Sequence, residues 1–260
     1  MGREKMEKER LLFAIRSSIE NHCQGFYLCY QPLVSARDKR TIGAEALLRW
    51  AKEPYGEVAP KEFIPILEKE PCFFRLGQWI LRQAVMDGKR LIAHDRTFVV
   101  HVNVTIGQLE QNDFLEKTLQ LLQELDFPAE NLCLELTERG EVVDIQALGE
   151  KFDHIRKEGI QIALDDFGTG TAALHLLREW RVDRLKIDRM FVQNIMENFA
   201  DQAIVQAVID CAKRLGLCVC LEGVETEEQC RFLQRYDVEM HQGYYYGKPV
   251  KLNDFLEMFL

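Results

Sequence analysis

The chain has 260 residues, of which 47% are hydrophobic and 29% are charged, enough for one large folded domain with a charged surface. A net charge of −9 argues against a protein that binds DNA or RNA polymers, but it allows a small anionic ligand held by cations. No apolar run reaches the ~20 residues of a membrane helix, so we expect no direct membrane insertion. The eight cysteines form no C-x-x-C pair, which favours reduced structural thiols and a cytoplasmic location.

The first predicted element is an amphipathic helix over 3–20, within a lead-in segment, 1–22, that precedes the main domain at 23–260. Strands are predicted over 26–34 and 41–49, and the turn between them is too short for a helical crossover, which indicates an antiparallel pair. Strands and helices then alternate, as is typical of a parallel sheet closed into a barrel. Further strands are predicted at 98–105, 132–138, 160–167, 184–188, 218–224 and 240–246, and helices at 60–68, 75–92, 107–124, 143–158, 171–179, 190–215, 226–235 and 252–259.

The apolar runs that predict strands end in polar or acidic residues. In a barrel, the carboxyl ends of the parallel strands meet at one mouth, so these side chains are expected to converge. Two carboxylates ~4 Å apart repel by roughly 4 kcal/mol at an effective dielectric near 20, so such a cluster needs bound protons or cations, and divalent metal is favoured. The apolar runs end at Gln31, Glu45, Asn103, Glu135, Asp165 with Asp166, Lys186, Glu222 and Gln242.

The oxygen donors in this set are candidate metal ligands. Mg²⁺ and Mn²⁺ prefer carboxylate and amide oxygens, and adjacent aspartates can serve two ions, with Asp165 as the bridge. Two ions about 3.5–4 Å apart are a common arrangement for displacement at phosphorus. The alternative is a set of helix N-caps and solvated loop acids, which the joint placement of the residues disfavours. The candidate ligands are Glu45, Asn103, Glu135, Asp165 and Asp166.

Two basic residues add to this picture. Two neighbouring cations would lower the pKa of Lys186, which could then orient or deprotonate an attacking water. The alternatives are a lysine that merely reaches the rim and a Schiff-base aldolase. Arg49 follows Glu45 by four positions on an extended strand, and its planar guanidinium suits a substrate phosphate. His101 and His241 are interpreted as core or rim residues rather than ligands.

Several short motifs follow one another in a characteristic order. They are Gln31-Pro32-Leu33, Glu45-Ala46-Leu47-Leu48-Arg49-Trp50, Phe63-Ile64-Pro65, Asn103, Glu135-Leu136-Thr137-Glu138, Asp165-Asp166-Phe167-Gly168-Thr169-Gly170, Lys186-Ile187-Asp188, Glu222-Gly223-Val224-Glu225-Thr226 and Gln242-Gly243-Tyr244. From about Phe26 to its end, the chain resembles the EAL domain family of cyclic-di-GMP phosphodiesterases.

The resemblance implies a modified TIM-type (β/α)8 barrel with one antiparallel strand. It also implies hydrolysis of cyclic-di-GMP to linear pGpG with two Mg²⁺ or Mn²⁺ ions, and we expect Ca²⁺ to inhibit because its larger, looser shell suits an octahedral site poorly. The matched positions assign Glu45, Asn103, Glu135, Asp165 and Asp166 to the metals, Lys186, Glu225, Glu222 and Gln242 to catalysis, Gln31, Arg49 and Asp188 to substrate, and Glu138 to anchoring the loop after Asp166.

One departure from the family concerns that loop. Thr171-Ala172-Ala173 stands where family members commonly have Tyr-Ser-Ser, which puts the strength and regulation of activity in question. Two rivals to an active enzyme therefore stay open: a cyclic-di-GMP receptor that does not cut its ligand, and an interaction domain that has abandoned the nucleotide. We expect a homodimer, fused to or regulated by a sensor or cyclase-type domain, in the cytoplasm or as the cytosolic part of a membrane-associated protein.

Overall fold

The computed structural model describes residues 2–68, 70–137, 144–169 and 173–260. Within these ranges a mixed sheet forms, and most of its strands coincide with the predicted apolar runs. The strands are β1 (Phe26–Ser35), β2 (Thr41–Lys52), β3 (Gly56–Val58), β4 (Val99–Asn103), β5 (Leu132–Thr137), β6 (Gln161–Phe167), β7 (Arg184–Ile187), β8 (Cys218–Leu221) and β9 (Met240–Gln242).

The sheet closes on itself into a barrel. Its order among the described strands is β1, β2, β4, β5, β6, β7, β8 and β9, and β9 pairs with β1 again. β1 is antiparallel to both of its neighbours, whereas the successive pairs from β2 and β4 through to β9 are parallel. The predicted (β/α)8 barrel with one antiparallel strand is therefore confirmed. The short β3, which pairs with the end of β2, was too brief for its pattern to predict.

The helices cover the outside of this barrel. They are α1 (Gly2–Glu20), α2 (Pro60–Leu67), α3 (Cys72–Ile92), α4 (Ile106–Glu110), α5 (Phe114–Glu124), α6 (Ile145–Lys157), α7 (Ala173–Glu179), α8 (Phe199–Arg214), α9 (Glu227–Leu233) and α10 (Leu252–Phe259). In the described ranges, none of them combines the length and apolar character that crossing a membrane requires.

Two predicted helices are shorter or divided in the structure. The helix predicted at 107–124 is broken between α4 and α5, where Gln111 adopts an extended backbone. The helix predicted at 190–215 begins only at Phe199, because the side chain of Asn198 accepts hydrogen bonds from the amides of Ala200 and Asp201 and caps α8 there. Asparagine favours such a cap over a helix interior, so the longer prediction was wrong.

The alternation of side chains along each strand divides the barrel into an outer core and an inner layer. Residues such as Val100 and Leu134 belong to the large core shared with the helices. The inner layer is apolar towards the amino ends of the strands, where Val99, Cys133 and Ala163 form a separate cluster. Two positions further along, the same face carries polar and acidic residues. The barrel therefore places its charged side chains together at the carboxyl ends of the strands.

Helix α1 is part of the same folded body. Its predicted apolar face is buried, with Leu12, Ile15 and Ile19 exposed by only 8%, 0% and 2% in the core shared with α3. Arg16 Nε donates to Glu70 Oε2 at 2.7 Å and fixes the helix to the segment that precedes α3. The amphipathic lead-in helix is confirmed, while the division of the chain at 22 and 23 stays a prediction.

Candidate metal centre

A cavity of about 250 Å³ opens at the mouth of the barrel. Its wall brings together residues from widely separated parts of the sequence, as the strand-end argument predicted. Arg189 and Tyr244 also line it, although neither was among the predicted site residues. The predicted residues in the wall are Gln31, Glu45, Asp165, Asp166, Asp188, Glu222, Glu225 and Gln242.

Gln31 and Glu45 reach the mouth from inside their strands. They face each other as partners across β1 and β2, and β2 continues beyond Glu45 to Lys52. These two residues end apolar runs in the sequence, but their strands continue past them, as the predicted ranges 26–34 and 41–49 indicated. The pairing of β1 with β2 extends beyond these two residues as far as Phe26 and Trp50, so residues from inside the two strands meet the rim. Both side chains nevertheless line the same cavity.

Asp165 and Asp166 both line the cavity although they are consecutive in β6. In a regular strand, successive side chains point to opposite faces. Here the pairing of β6 with β7 shifts register between Leu164 and Phe167, and Asp166 has a φ of 53°. Such a bulge with a left-handed residue re-aims a side chain, so the local backbone explains how two adjacent carboxylates serve one site.

A pair of substitutions tests this backbone explanation. We expect Asp166→Val to lower the free energy of unfolding by about 1–3 kcal/mol, because a β-branched residue is strained at a positive φ. Asn tolerates the left-handed region, so Asp166→Asn should keep the native stability while it removes the charge. Urea denaturation of the two variants measures the difference. Equal stability of the two variants would show that backbone strain is not what selects the residue.

Lys186 lies beneath the cavity, fully buried, with its ammonium among carboxylates. Its Nζ is 2.8 Å from Glu222 Oε1, 3.1 Å from Asp165 Oδ1 and 3.4 Å from Glu45 Oε2. The same nitrogen lies 3.0 Å from each oxygen of Glu135. One positive charge thus faces these four acids, so the cluster has an excess of negative charge whenever they are ionised.

Burial controls the pKa values of most of these acids. It raises the pKa of Glu135 well above 4.5 and that of Glu222 to about 8, with Lys186 acting in the opposite direction. Burial also raises the pKa of Asp165 against the pull of Lys186. The lysine shows the converse: burial lowers its pKa, but the surrounding carboxylates, Asp165 first, outweigh burial and raise the pKa well above 10.5. The cluster therefore retains protons unless other cations replace them.

Glu45 is the acid that stays most readily ionised. Burial raises its pKa, but Lys186 and two amide donors outweigh burial and leave the pKa below 4.5. Gln242 Nε2 donates to Glu45 Oε2 at 2.7 Å, and Asn103 Nδ2 donates to Glu45 Oε1 at 2.8 Å. Gln242 Nε2 also lies 3.2 Å from Gln31 Oε1. These contacts fix the carboxylate of Glu45 in the wall of the cavity.

The residues present fit a metal ion that prefers oxygen ligands. In the described part of the chain, ligand atoms within 4.8 Å of one another form two acidic groups, Glu45 with Glu135 and Asp165, and Asp165 with Asp166 and Glu222. Asp165 Oδ1 and Gln242 Oε1 are buried there without a hydrogen-bond donor aligned on them. Buried oxygens that accept no hydrogen bond, next to excess negative charge, are what a bound cation would satisfy.

His101 is a residue of the site that the sequence interpretation missed. Its Nδ1 lies 2.7 Å from Oε1 of Glu135, and both side chains are buried. Burial, with Arg184 and Lys186 nearby, lowers the pKa of His101 well below 6.5, so the contact is a hydrogen bond with a neutral ring rather than an ion pair. Its position two residues before Asn103, on the same face of β4, was the signal in the sequence.

Some predicted residues lie apart from the cavity or outside the described residues. Asn103, Glu135 and Lys186 are not in the wall; Asn103 and Lys186 contact residues that are, and Glu135 contacts Lys186. Arg49 is half-buried, also lies outside the wall, and donates from Nη1 to the carbonyl of Leu48 at 2.8 Å. Its role toward a phosphate stays a prediction. Glu138 and residues 170–172 of the variable loop lie outside the described residues, so the predicted anchor and the effect of the loop change also stay predictions.

The fold and the site together define a TIM-like barrel whose mouth carries acidic residues that could hold a metal ion. A family model described as the EAL domain matches residues 14–249. The chain belongs to the EAL domain family, as the order of its motifs predicted.

Individual relatives agree with this assignment. The chain is 34% identical over 236 residues to the Cyclic di-GMP phosphodiesterase PA2567 of Pseudomonas aeruginosa, a match that covers 90% of this chain and 40% of that protein. The chain spans less than half of the length of the curated relatives it matches.

Solved structures show the same architecture. The EAL enzyme Bd1971 in its cAMP and cyclic-di-GMP bound form matches with a TM-score of 0.89 and 32% identity, covering 99% of this chain and 70% of that one. The PaMucR phosphodiesterase in complex with c-di-GMP matches with a TM-score of 0.87 and 31% identity, covering 95% of this chain and 99% of that one.

Proposed function

We propose that this domain hydrolyses cyclic-di-GMP to linear pGpG with the help of two Mg²⁺ or Mn²⁺ ions. The observation that carries the proposal is the pair of acidic groups that share Asp165 at the barrel mouth. Relatives also support the proposal. The similar Pseudomonas aeruginosa protein is named a cyclic di-GMP phosphodiesterase, and the similar Bd1971 and PaMucR structures contain cyclic-di-GMP. Each residue that the family motif assigns to the metals is present in the sequence.

Each of the two acidic groups would provide ligands for one ion, and Asp165 belongs to both groups. Glu45, Glu135 and Asp165, with the amide of Asn103 beside Glu45, would hold the first ion. Asp165, Asp166 and Glu222 would hold the second. When bound, the ions supply Lewis-acid stabilisation of the charge that develops on the phosphoryl oxygens and lower the pKa of the attacking water.

The chain's own residues prepare this chemistry. The ammonium of Lys186 pairs with the carboxylates of Glu222 and Asp165, 2.8 and 3.1 Å away, and keeps them in the mouth. Gln242 holds Glu45 through its amide. Glu225 lines the cavity from the exposed start of the segment before α9, where its carboxylate can orient a water molecule for attack or accept its proton.

The outer part of the cavity offers groups for the nucleotide. Arg189 in the wall can pair with a phosphate through its planar guanidinium. The ring of Tyr244 is 56% exposed at the rim, and such a ring can stack on a guanine base. Gln31 and Asp188 complete the polar wall on the same side as the candidate metal ligands. The combination suits a ligand with both phosphates and flat bases.

The experiment that tests the proposal is incubation of the protein with cyclic-di-GMP and Mn²⁺ or Mg²⁺, followed by chromatographic separation of the nucleotides. We expect pGpG to accumulate, a chelator to stop its formation, and Ca²⁺ to inhibit because it favours a larger and less regular coordination shell. Glu45→Gln, which keeps the side-chain size, should reduce turnover strongly. Binding of cyclic-di-GMP without cleavage would indicate a receptor rather than an enzyme. Absence of nucleotide binding by calorimetry would indicate an interaction domain.

The proposal extends to the setting of the domain. We propose that it acts in the cytoplasm as a homodimer and as the output part of a longer signalling protein with a sensor or cyclase-type domain. The greater length of the curated relatives supports the longer protein. Exposed apolar side chains near the mouth, Met190, Met196 and Phe199, support an association surface. Light scattering of the purified chain measures its mass; a monomer at all concentrations would contradict the dimer.

A further inference from the structure

His101 lies one layer deeper in the barrel than the residues that line the cavity. It precedes Asn103 by two positions on β4, so both side chains point inwards. Its backbone is the register partner of Glu45 on one side and of Cys133 on the other. The ring is 1% exposed, so it has no access to substrate. Any effect of His101 on the reaction must therefore pass through a neighbouring side chain.

That neighbour is Glu135, which is 0% exposed. When Glu135 is ionised, as it would be beside a bound cation, it only accepts hydrogen bonds, so Nδ1 of His101 would then donate across the 2.7 Å to Oε1. Lys186 Nζ lies 3.0 Å from both oxygens of this carboxylate but donates its hydrogen bond to Oε2. His101 contacts the other oxygen, Oε1, at 2.7 Å. The ring thus distinguishes the two oxygens of a candidate metal ligand.

We propose that His101 is a positioning residue for metal binding: it holds Oε1 of Glu135 and so fixes the orientation in which this carboxylate meets an ion shared with Glu45 and Asp165. The inference rests on the proposed two-metal function and adds a residue to which the family motifs give no role. Groups that hydrogen-bond to metal ligands fix their orientation, and their loss typically weakens metal binding without removing a ligand.

The test is a calorimetric titration of the metal-free 260-residue chain with Mn²⁺. His101→Leu removes the donor and keeps an apolar side chain of similar bulk, and we expect it to weaken Mn²⁺ binding by about 10–100-fold. His101→Asn places an amide donor close to the position of the ring Nδ1, so it should recover most of the affinity. Circular dichroism and thermal unfolding without metal establish that each variant is folded.

His241→Leu is the matched control. This histidine is also a buried strand residue with a contact from Nδ1, 2.8 Å from the hydroxyl of Tyr246 rather than from a carboxylate. We expect it to alter stability and leave Mn²⁺ affinity unchanged.

Two results would overturn the assignment: native-like Mn²⁺ affinity in His101→Leu, or equal loss in His101→Leu and His101→Asn. If Leu prevents folding, His101→Ala carries the same comparison. Failure of the native chain to bind Mn²⁺ would instead overturn the proposed function itself.

Discussion

Asp165→Asn should lower the rate of cyclic-di-GMP hydrolysis by about 1,000-fold or more. Asp165 belongs to both acidic groups at the mouth, so its carboxylate is the ligand that two ions would share. An amide of the same size supplies a neutral oxygen to one ion and a hydrogen-bond donor to the other. Metal ions contribute several kcal/mol of transition-state stabilisation, and each 1.36 kcal/mol corresponds to a factor of about ten in rate.

Initial rates with saturating Mn²⁺, for native protein and variant side by side, measure this loss. Glu222→Gln changes a ligand of one group alone and should cost less. Asp188→Asn is the matched aspartate control, because Asp188 lines the cavity but belongs to neither group. We expect that variant to affect KM more than kcat. A turnover number of Asp165→Asn within about tenfold of native, a difference of only 1.36 kcal/mol, would contradict the shared-ligand assignment.

The convergence of the acidic residues was predictable from the sequence because parallel strands expose their carboxyl ends at one edge. Glu135, Asp165 and Glu222 each follow an apolar run, and the structure brings the three carboxylates within 3.1 Å of the ammonium of Lys186, which follows an apolar run as well. The antiparallel pair at the start was also predictable, since residues 36–40 leave no room for a crossover helix. These inferences depend on local pattern and on the general geometry of the barrel.

Other features depend on register, which a single sequence does not reveal. Gln31 faces Glu45 because of the register in which β1 pairs with β2. The bulge that turns Asp166 towards the mouth places a non-glycine residue at a positive φ, so no glycine in the sequence indicates it. The contact of His101 with Glu135 needs both the inward face of β4 and its alignment with β5. Each of these is set by tertiary pairing rather than by propensity.

Lys186→Met should destabilise the metal-free protein by about 3–5 kcal/mol, the usual cost of leaving buried partners without their counter-charge. For a chain of this size, this corresponds to a fall in Tm of about 10 °C. The reason is geometric: Nζ lies within 3.4 Å of four buried or nearly buried carboxylates, and the thioether of Met compensates none of them.

Divalent ions should then replace the lost charge in part. We expect Mn²⁺ to raise the Tm of Lys186→Met by more than it raises the Tm of the native protein, because the variant has one cation fewer in the same acidic cluster. Turnover should nevertheless stay far below native at saturating Mn²⁺, since the metal restores charge but not the donor that holds Glu222 and Asp165. Thermal unfolding with and without Mn²⁺ and initial rates under the same conditions separate these two contributions.

Arg184→Met provides the comparison that isolates the effect of position. Arg184 precedes Lys186 by two residues on the same inward face of β7, but its guanidinium contacts Gln161 and Met240 rather than the acids. The substitution removes the same formal charge, so a general effect of net charge would change the Mn²⁺ response equally in both variants. If the cluster is what matters, the enlarged Mn²⁺ stabilisation appears in Lys186→Met alone. An equal response in Arg184→Met would mean that Lys186 acts as one more buried cation and not as the counter-charge of a metal site.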